Sequence, residues 1–305
     1  MSHVIEVRGL TKHYGSTVGL DGLDLTVERG EVFGFLGPNG AGKTTTIRLL
    51  LDMIRPTRGS VSLFGRPSRD SGVRARVGYL PGELVLDERL TGAQNLEFLS
   101  RLAPRRGAQV DPKRRREICD RLGLARDDLR RPVRGYSRGM KQKVGLTAAM
   151  ESDPDLLVLD EPTTGLDPLV RETVFELLQE AGRAGRTVFH SSHVLSEVDR
   201  TCSRVAIIRE GLLMALHDVD ELRRASARRM VVRFGHEPPI AELNLPGVSI
   251  EEREGSQVVL LVSGELDPLL RVLAEQHVQH LVFSEPSLED AFVSYYRSST
   301  DEAGS

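Results

Sequence analysis

Residues 37–44, Gly-Pro-Asn-Gly-Ala-Gly-Lys-Thr, have the types and spacing to hold a triphosphate. Such a ligand needs many donors and little steric bulk around it. Glycines let backbone N–H groups close around phosphate oxygens, and a helix starting there would add its positive N-terminal end. Gly37, Gly40 and Gly42 supply the permissive backbone, and Pro38, Asn39, Ala41 and Thr45 complete the run. Lys43 is expected to reach the β and γ phosphates, and Thr44 to ligate Mg²⁺. The acidic counterpart is Asp160-Glu161, which directly follows four apolar residues, Leu156-Leu157-Val158-Leu159. A solvated acidic turn would not explain that placement. Asp160 is expected to hold Mg²⁺ through water, and Glu161 to act as general base toward the attacking water.

Both groups need rigid elements behind them. Val32-Phe33-Gly34-Phe35-Leu36 is an unbroken apolar run, as expected of a strand buried on both faces, and it leads into the glycine-rich loop. Thr45 to Met53 reads as the following helix, ended by Arg55-Pro56. Residues 4–8 and 23–27 alternate as half-buried strands. Residues 77–81, 156–159, 187–190 and 205–208 read as further strands. Helices are expected over 168–183 and 194–201, with a helix-rich stretch from about 90 to 150. Strands alternating with helices imply a largely parallel sheet. From about Asp220 the texture changes: strands at 229–235 and 256–263, a helix at 267–276, an extended stretch at 280–283 and a helix at 288–297 suggest a small α+β domain. Residues 299–305 read as a disordered tail.

The intervening motifs identify a family. Tyr136-Ser137-Arg138-Gly139-Met140-Lys141-Gln142, whose Ser137 lies 23 residues before Asp160, resembles the signature of ABC transporter motors, usually Leu-Ser-Gly-Gly-Gln. Pro162-Thr163-Thr164-Gly165-Leu166-Asp167 resembles the family's D-loop. Ser191-Ser192-His193 ends a strand as its switch histidine does, and Tyr14 sits where the adenine-stacking aromatic usually sits. The resemblance covers residue 4 to about 220. It implies an α/β cassette with a RecA-like core sheet, an antiparallel β subdomain and a helical subdomain at about 84–150. The cassette would span 1–222, with the accessory α+β domain at 223–298. It also implies a head-to-tail homodimer that buries ATP and Mg²⁺ between protomers. Ser137 and Gly139 then act on the partner's nucleotide, Asp167 crosses the interface, and His193 contacts the γ-phosphate.

Two positions depart from the family pattern. Arg138 stands where the signature has Gly, and could lie along the phosphate path or point to solvent. Gly82, after Pro81, stands where the family has a Gln that senses Mg²⁺ and the attacking water. Glu83 is a candidate metal-site carboxylate that would partly substitute; the alternative is an exposed loop residue.

Leu90-Thr-Gly-Ala-Gln-Asn-Leu96, the signature and Pro286-Ser-Leu-Glu-Asp-Ala-Phe292 resemble the motors of ABC-2 type exporters, including the daunorubicin-resistance kind. There the motor is a separate polypeptide that docks on a membrane permease. The resemblance implies a peripheral protein on the cytoplasmic face of the membrane. Nothing in the sequence names the cargo.

Composition agrees. Lys+Arg is 41 and Asp+Glu 44, a formal net charge of -3. That balance argues against a dedicated nucleic-acid binder, and so against the rival reading, a soluble ABC ATPase acting on nucleic acid or ribosomes. The chain also holds one cassette and no sustained heptads. A non-hydrolysing scaffold conflicts with Glu161. Arginines concentrate at 105–134, as a solvated face or as a surface for permease or anionic lipid. No apolar stretch approaches the ~18 residues of a membrane span, and the N-terminus does not read as a signal peptide. Cys119 and Cys202 lack metal-ligand spacing and read as small buried residues.

Overall fold

A computed structural model describes residues 3–102, 110–225 and 228–284. The chain divides into two compact units, 1–217 and 218–305.

In the first unit, β1 (His3–Tyr14) and β2 (Thr17–Glu28) form a long antiparallel hairpin. β4 (Arg58–Leu63) pairs with the other side of β1, and β5 (Arg66–Pro67) completes the order β2-β1-β4-β5. The expected strands 4–8 and 23–27 are the regularly alternating stretches of this hairpin. Its remainder is largely exposed and carries register shifts, which break the period-2 signal that alternation relies on.

The second sheet has the order β10-β9-β3-β8-β7-β6. Its members are β3 (Val32–Leu36), β6 (Val77–Leu80), β7 (Leu156–Asp160), β8 (Thr187–Ser192), β9 (Arg204–Arg209) and β10 (Leu212–Asp218). The β3–β8, β3–β9, β7–β8 and β6–β7 pairs are parallel. β10 returns from β9 through Glu210-Gly211, both at positive φ (52 and 80), the backbone that a two-residue hairpin turn requires. Every residue of β3, β7 and β8 is buried, which explains the apolar runs of β3 and of residues 156–159 in β7; β8 is equally buried but carries Thr187, His190, Ser191 and Ser192. Phe189 stacks on Phe33 with ring centroids 5.7 Å apart and lies 5.4 Å from Phe35. Parallel pairing brings the carboxyl ends of β3, β6, β7 and β8 to one edge, where ligands bind in open α/β sheets. Around these strands lie α1 (Lys43–Leu50), α2 (Ser71–Arg74), α7 (Pro168–Arg183) and α8 (Leu195–Thr201).

A helical layer of α3 (Gly92–Leu102), α4 (Pro112–Arg121), α5 (Arg126–Leu129) and α6 (Arg138–Met150) has its own core around Leu96, Cys119, Val133, Tyr136 and Val144. Much of the arginine concentration is internal pairing. Arg114 meets Asp153 at 3.0 Å, Arg115 meets Glu151 at 2.6 Å, and Arg121 meets Glu180 of α7 at 2.5 Å. Arg105-Arg106 lies outside the described residues. Both cysteines are buried, and burial pushes the Cys202 thiol up to about 12. His190 is also buried, which pushes its imidazole down to about 4 and keeps it neutral; it packs against Thr201 and Cys202 away from the phosphate loop.

The second unit begins with α9 (Val219–Ala225), whose first amides, Asp220 N and Glu221 N, donate to the Asp218 carboxylate. The expected boundary at 222/223 falls inside this helix. β11 (Arg228–Phe234), β12 (Val248–Glu254), β13 (Gln257–Val262) and β14 (Val278–Ser284) form an antiparallel sheet in the order β12-β13-β11-β14. With α10 (Asp267–Ala274) it buries Met230, Val232, Phe234, Leu260, Leu269 and Leu273. Sequence reading does not find β12, because this edge strand is exposed along nearly its whole length and reads Glu-Glu-Arg-Glu at its end. The expected helix 288–297 and tail 299–305 lie outside the described residues. Among the described residues, no helix is long and apolar enough to cross a membrane.

Candidate functional site

The glycine-rich loop leaves β3 and enters α1 through Gly42, the helix N-cap, at φ 108. Only glycine holds that angle without strain, and a Cβ there would lie 2.7 Å from the Gly19 carbonyl. No side chain caps α1, so its first-turn amides are not claimed by a capping group. Lys43 is buried and folds into the loop, its Nζ donating to Gly37 O at 2.7 Å and Pro38 O at 3.1 Å. Pro38, Asn39 and Gly40 form the exposed rim, Ala41 is buried, and Thr45 is partly buried in the first turn of α1.

β7 delivers the carboxylates to the same place. Asp160 is 1 % exposed and accepts from Thr44 Oγ1 at 2.7 Å and Ser191 Oγ at 2.6 Å. Glu161 turns out of the strand at φ 49, an uncommon angle for a non-glycine residue. Its Oε1 lies 3.3 Å from Lys43 Nζ, and its Oε2 lies 3.2 Å from His193 Nδ1 and accepts from Thr164 Oγ1 at 3.2 Å. Burial pushes this carboxyl up, but Lys43 and then His193 outweigh it and hold it below its ordinary value. Glu161 is therefore ionised at neutral pH and able to accept a proton.

Lys43, Thr44, Asp160, Glu161 and His193 thus converge. Tyr14 is 46 % exposed at the β1–β2 turn, with its ring edge against Gly19, whose carbonyl in turn abuts Gly42. That contact chain sets an aromatic face beside the phosphate loop. Ser137 and Asp167 stand apart as exposed N-caps, accepting from Met140 N and Val170 N. Gly139 packs so tightly on the D-loop that a Cβ would meet Gly165 O at 2.6 Å. Arg138 is exposed, with its aliphatic stem over Gly165.

The metal-sensing position differs from expectation. Gly82 packs on the Asp160 carboxylate, where a Cβ would meet Oδ2 at 3.0 Å. Glu83 points outward and is exposed. Among the described residues it has no ion pair with Lys43 and no hydrogen bond to Thr44. Glu83→Ala is therefore expected to leave turnover and its Mg²⁺ dependence unchanged. A higher Mg²⁺ requirement in an ATPase titration would instead give Glu83 the substitute role.

Three contributors have roles that motif reading does not assign. Ser191 holds Asp160 with its hydroxyl proton and also accepts from Glu161 N at 3.0 Å. Glu197 accepts from Thr163 and Ser192, tying the D-loop to β8. Gln142 donates to the Glu161 and Pro162 carbonyls. Ser191 and Gln142 lie inside the quoted Ser-Ser-His and signature runs, but nothing in those runs shows which groups they bond; Glu197 carries no local signal.

The fold and site define an ATP-hydrolysing cassette of the phosphate-loop NTPase class. The ABC transporter family profile matches residues 20–164, and the chain belongs to the ABC transporter family as an ATP-binding subunit. It is 37 % identical over 300 residues, 95 % of this chain and 94 % of the relative, to the daunorubicin resistance ATP-binding protein DrrA3 of Streptomyces coeruleorubidus. It is 46 % identical over 208 residues to an uncharacterized ABC transporter ATP-binding protein, all4389, of Nostoc sp.; the match spans 67 % of this chain and 61 % of that protein. A solved ATP-binding subunit of an ABC transporter superposes with a TM-score of 0.64 at 29 % identity, over 72 % of this chain and 92 % of that one.

Proposed function

We propose that this chain is the motor of an exporter. It would bind and hydrolyse ATP as a head-to-tail homodimer, on the cytoplasmic face of the membrane, and drive a separate ABC-2 type permease. The observation that carries the reading is the ionised Glu161, set between Lys43 and His193 at the mouth of a phosphate loop. The cargo class, a drug, antibiotic or lipid-like compound, follows from the likeness to a daunorubicin resistance protein.

The residues divide the work. Backbone amides of residues 37–44 and the start of α1 hold the phosphates. Phosphate oxygens offer Lys43 a stronger partner than the two loop carbonyls, which frees Glu161 to take a proton from water. His193 orients the other carboxylate oxygen. Thr44 and Asp160 fit a Mg²⁺ site of the kind built from one hydroxyl, one carboxylate and substrate phosphates. The described residues hold no cluster of three or more His, Cys, Asp or Glu side chains that would suit another metal. Mg²⁺ there would screen the phosphate charge that resists attack. Ser137, at the start of a 13-residue helix, presents a hydroxyl and a positive helix end to the phosphates held by the partner.

His193→Ala removes the ring that contacts Glu161 Oε2 while leaving the loop intact. Its kcat is expected to fall by about 10²-fold, the cost of a misplaced reacting group, with KM for ATP nearly unchanged; steady-state kinetics reads both. The transport reading is tested by co-expressing the chain with a candidate ABC-2 type permease and isolating the membranes. Co-purification and ATPase activity that rises in the complex are expected. A chain that stays with ribosomes or nucleic acid instead would favour the rival reading.

A further inference from the structure

Glu161 sits in an unfavourable backbone conformation at the end of a buried strand, φ 49. For a non-glycine residue such a conformation persists only where its surroundings over-determine it. Two side chains hold the peptides on either side. Ser191 accepts from the Glu161 N–H at 3.0 Å. The amide Nε2 of Gln142 donates to the Glu161 carbonyl at 3.2 Å and the Pro162 carbonyl at 3.0 Å. Gln142 is 6 % exposed; its bond to the Pro162 carbonyl is buried and that to the Glu161 carbonyl partly so, and without it the Pro162 carbonyl would lose its donor in a buried place.

Gln142 belongs to α6, the helix whose N-cap is Ser137. One short helix therefore carries the group that would meet the partner's phosphates and, just over a turn later, the clamp on its own protomer's base. Gly139 and the stem of Arg138 also pack on Gly165, in the same loop that follows Glu161.

We infer that Gln142 is a positioning residue for hydrolysis: its side-chain amide fixes the turn that aims Glu161, and it links engagement of the signature helix at one nucleotide to alignment of the base at the other. This rests on the reading of Glu161 as base and of the dimer as head-to-tail. Gln142 bonds the Glu161 and Pro162 carbonyls and acts through the backbone it holds.

The test is Gln142→Met in the full-length chain, a side chain of similar length with no donor. Its kcat is expected to fall by roughly 10–100-fold, the range for a reacting group displaced by about 1 Å. KM for ATP should change less than about threefold, because the phosphate loop is untouched. ATP-dependent dimerisation, measured in a Glu161→Gln background, should persist. Gln142→Glu keeps the shape and serves where the Met variant does not fold. Its carboxyl would face two carbonyl oxygens with at most one O–H to offer them, so a loss of kcat at similar KM is expected. Turnover within about twofold of normal in the folded variant, or KM and dimerisation failing in step with kcat, would overturn the inference. If Glu161→Gln abolishes turnover while Gln142→Met does not, only the role of Gln142 is lost; if Glu161→Gln still turns over, the base assignment fails first.

Discussion

Glu161→Gln is expected to bind ATP about as tightly as the unaltered chain while hydrolysing it ~10²–10⁴-fold more slowly, the usual cost of losing a positioned base. The substitution keeps the side chain's shape. Thr164 and His193 can still bond to an amide oxygen, and Lys43 is released to the phosphates rather than lost. What disappears is the proton acceptor. Environment holds the carboxyl ionised, because Lys43 at 3.3 Å and His193 at 3.2 Å outweigh the effect of burial. A neutral amide in that position cannot take the proton of an attacking water. ATP then persists in the site, so the variant should accumulate in the ATP-bound dimeric form. Single-turnover hydrolysis and nucleotide-binding titrations read the two quantities separately.

Ser137→Glu is expected to have an effect as large by a different route. Ser137 is an exposed N-cap whose hydroxyl accepts from Met140 N at 3.2 Å. Glutamate there would direct a carboxylate at phosphates held by the partner. Like charges juxtaposed across an interface cost several kcal/mol, and about 3 kcal/mol is already more than 10²-fold in dimer affinity. Among the described residues, Ser137 is hydrogen-bonded only within its own helix start and not to Lys43, Thr44, Asp160 or Glu161. The ATP affinity of a single protomer should therefore be unchanged. Loss at the level of the dimer, with none at the level of the monomer, is the signature of a residue that works in trans.

Much of the site is legible in the sequence because its chemistry is local. The phosphate loop needs its glycines, lysine and threonine in one run, and Asp160-Glu161 needs a buried strand just before it. Fully buried strands such as Leu156–Asp160 betray themselves as apolar runs. Exposed edge elements do not: β12 carries too many charges to look like a strand, and the outer half of the β1–β2 hairpin is too irregular. The contributions of Gln142, Ser191 and Glu197 depend on packing between elements far apart in the chain, which no window of sequence displays. Gly82 shows a middle case. Its departure from the family pattern is visible in sequence, but only the fold shows that it lies against Asp160 while Glu83 faces out.

The central claim is that each ATP site is completed by a second protomer. Sedimentation of the Glu161→Gln chain with and without Ser137→Glu, in the presence of ATP and Mg²⁺, tests it most directly. Glu161→Gln alone should convert to a dimer retaining two ATP molecules. The double variant should bind ATP with the affinity of a single protomer and remain monomeric at the same concentration. A double variant that dimerises normally with ATP, or that loses ATP binding as a monomer, would contradict the composite site.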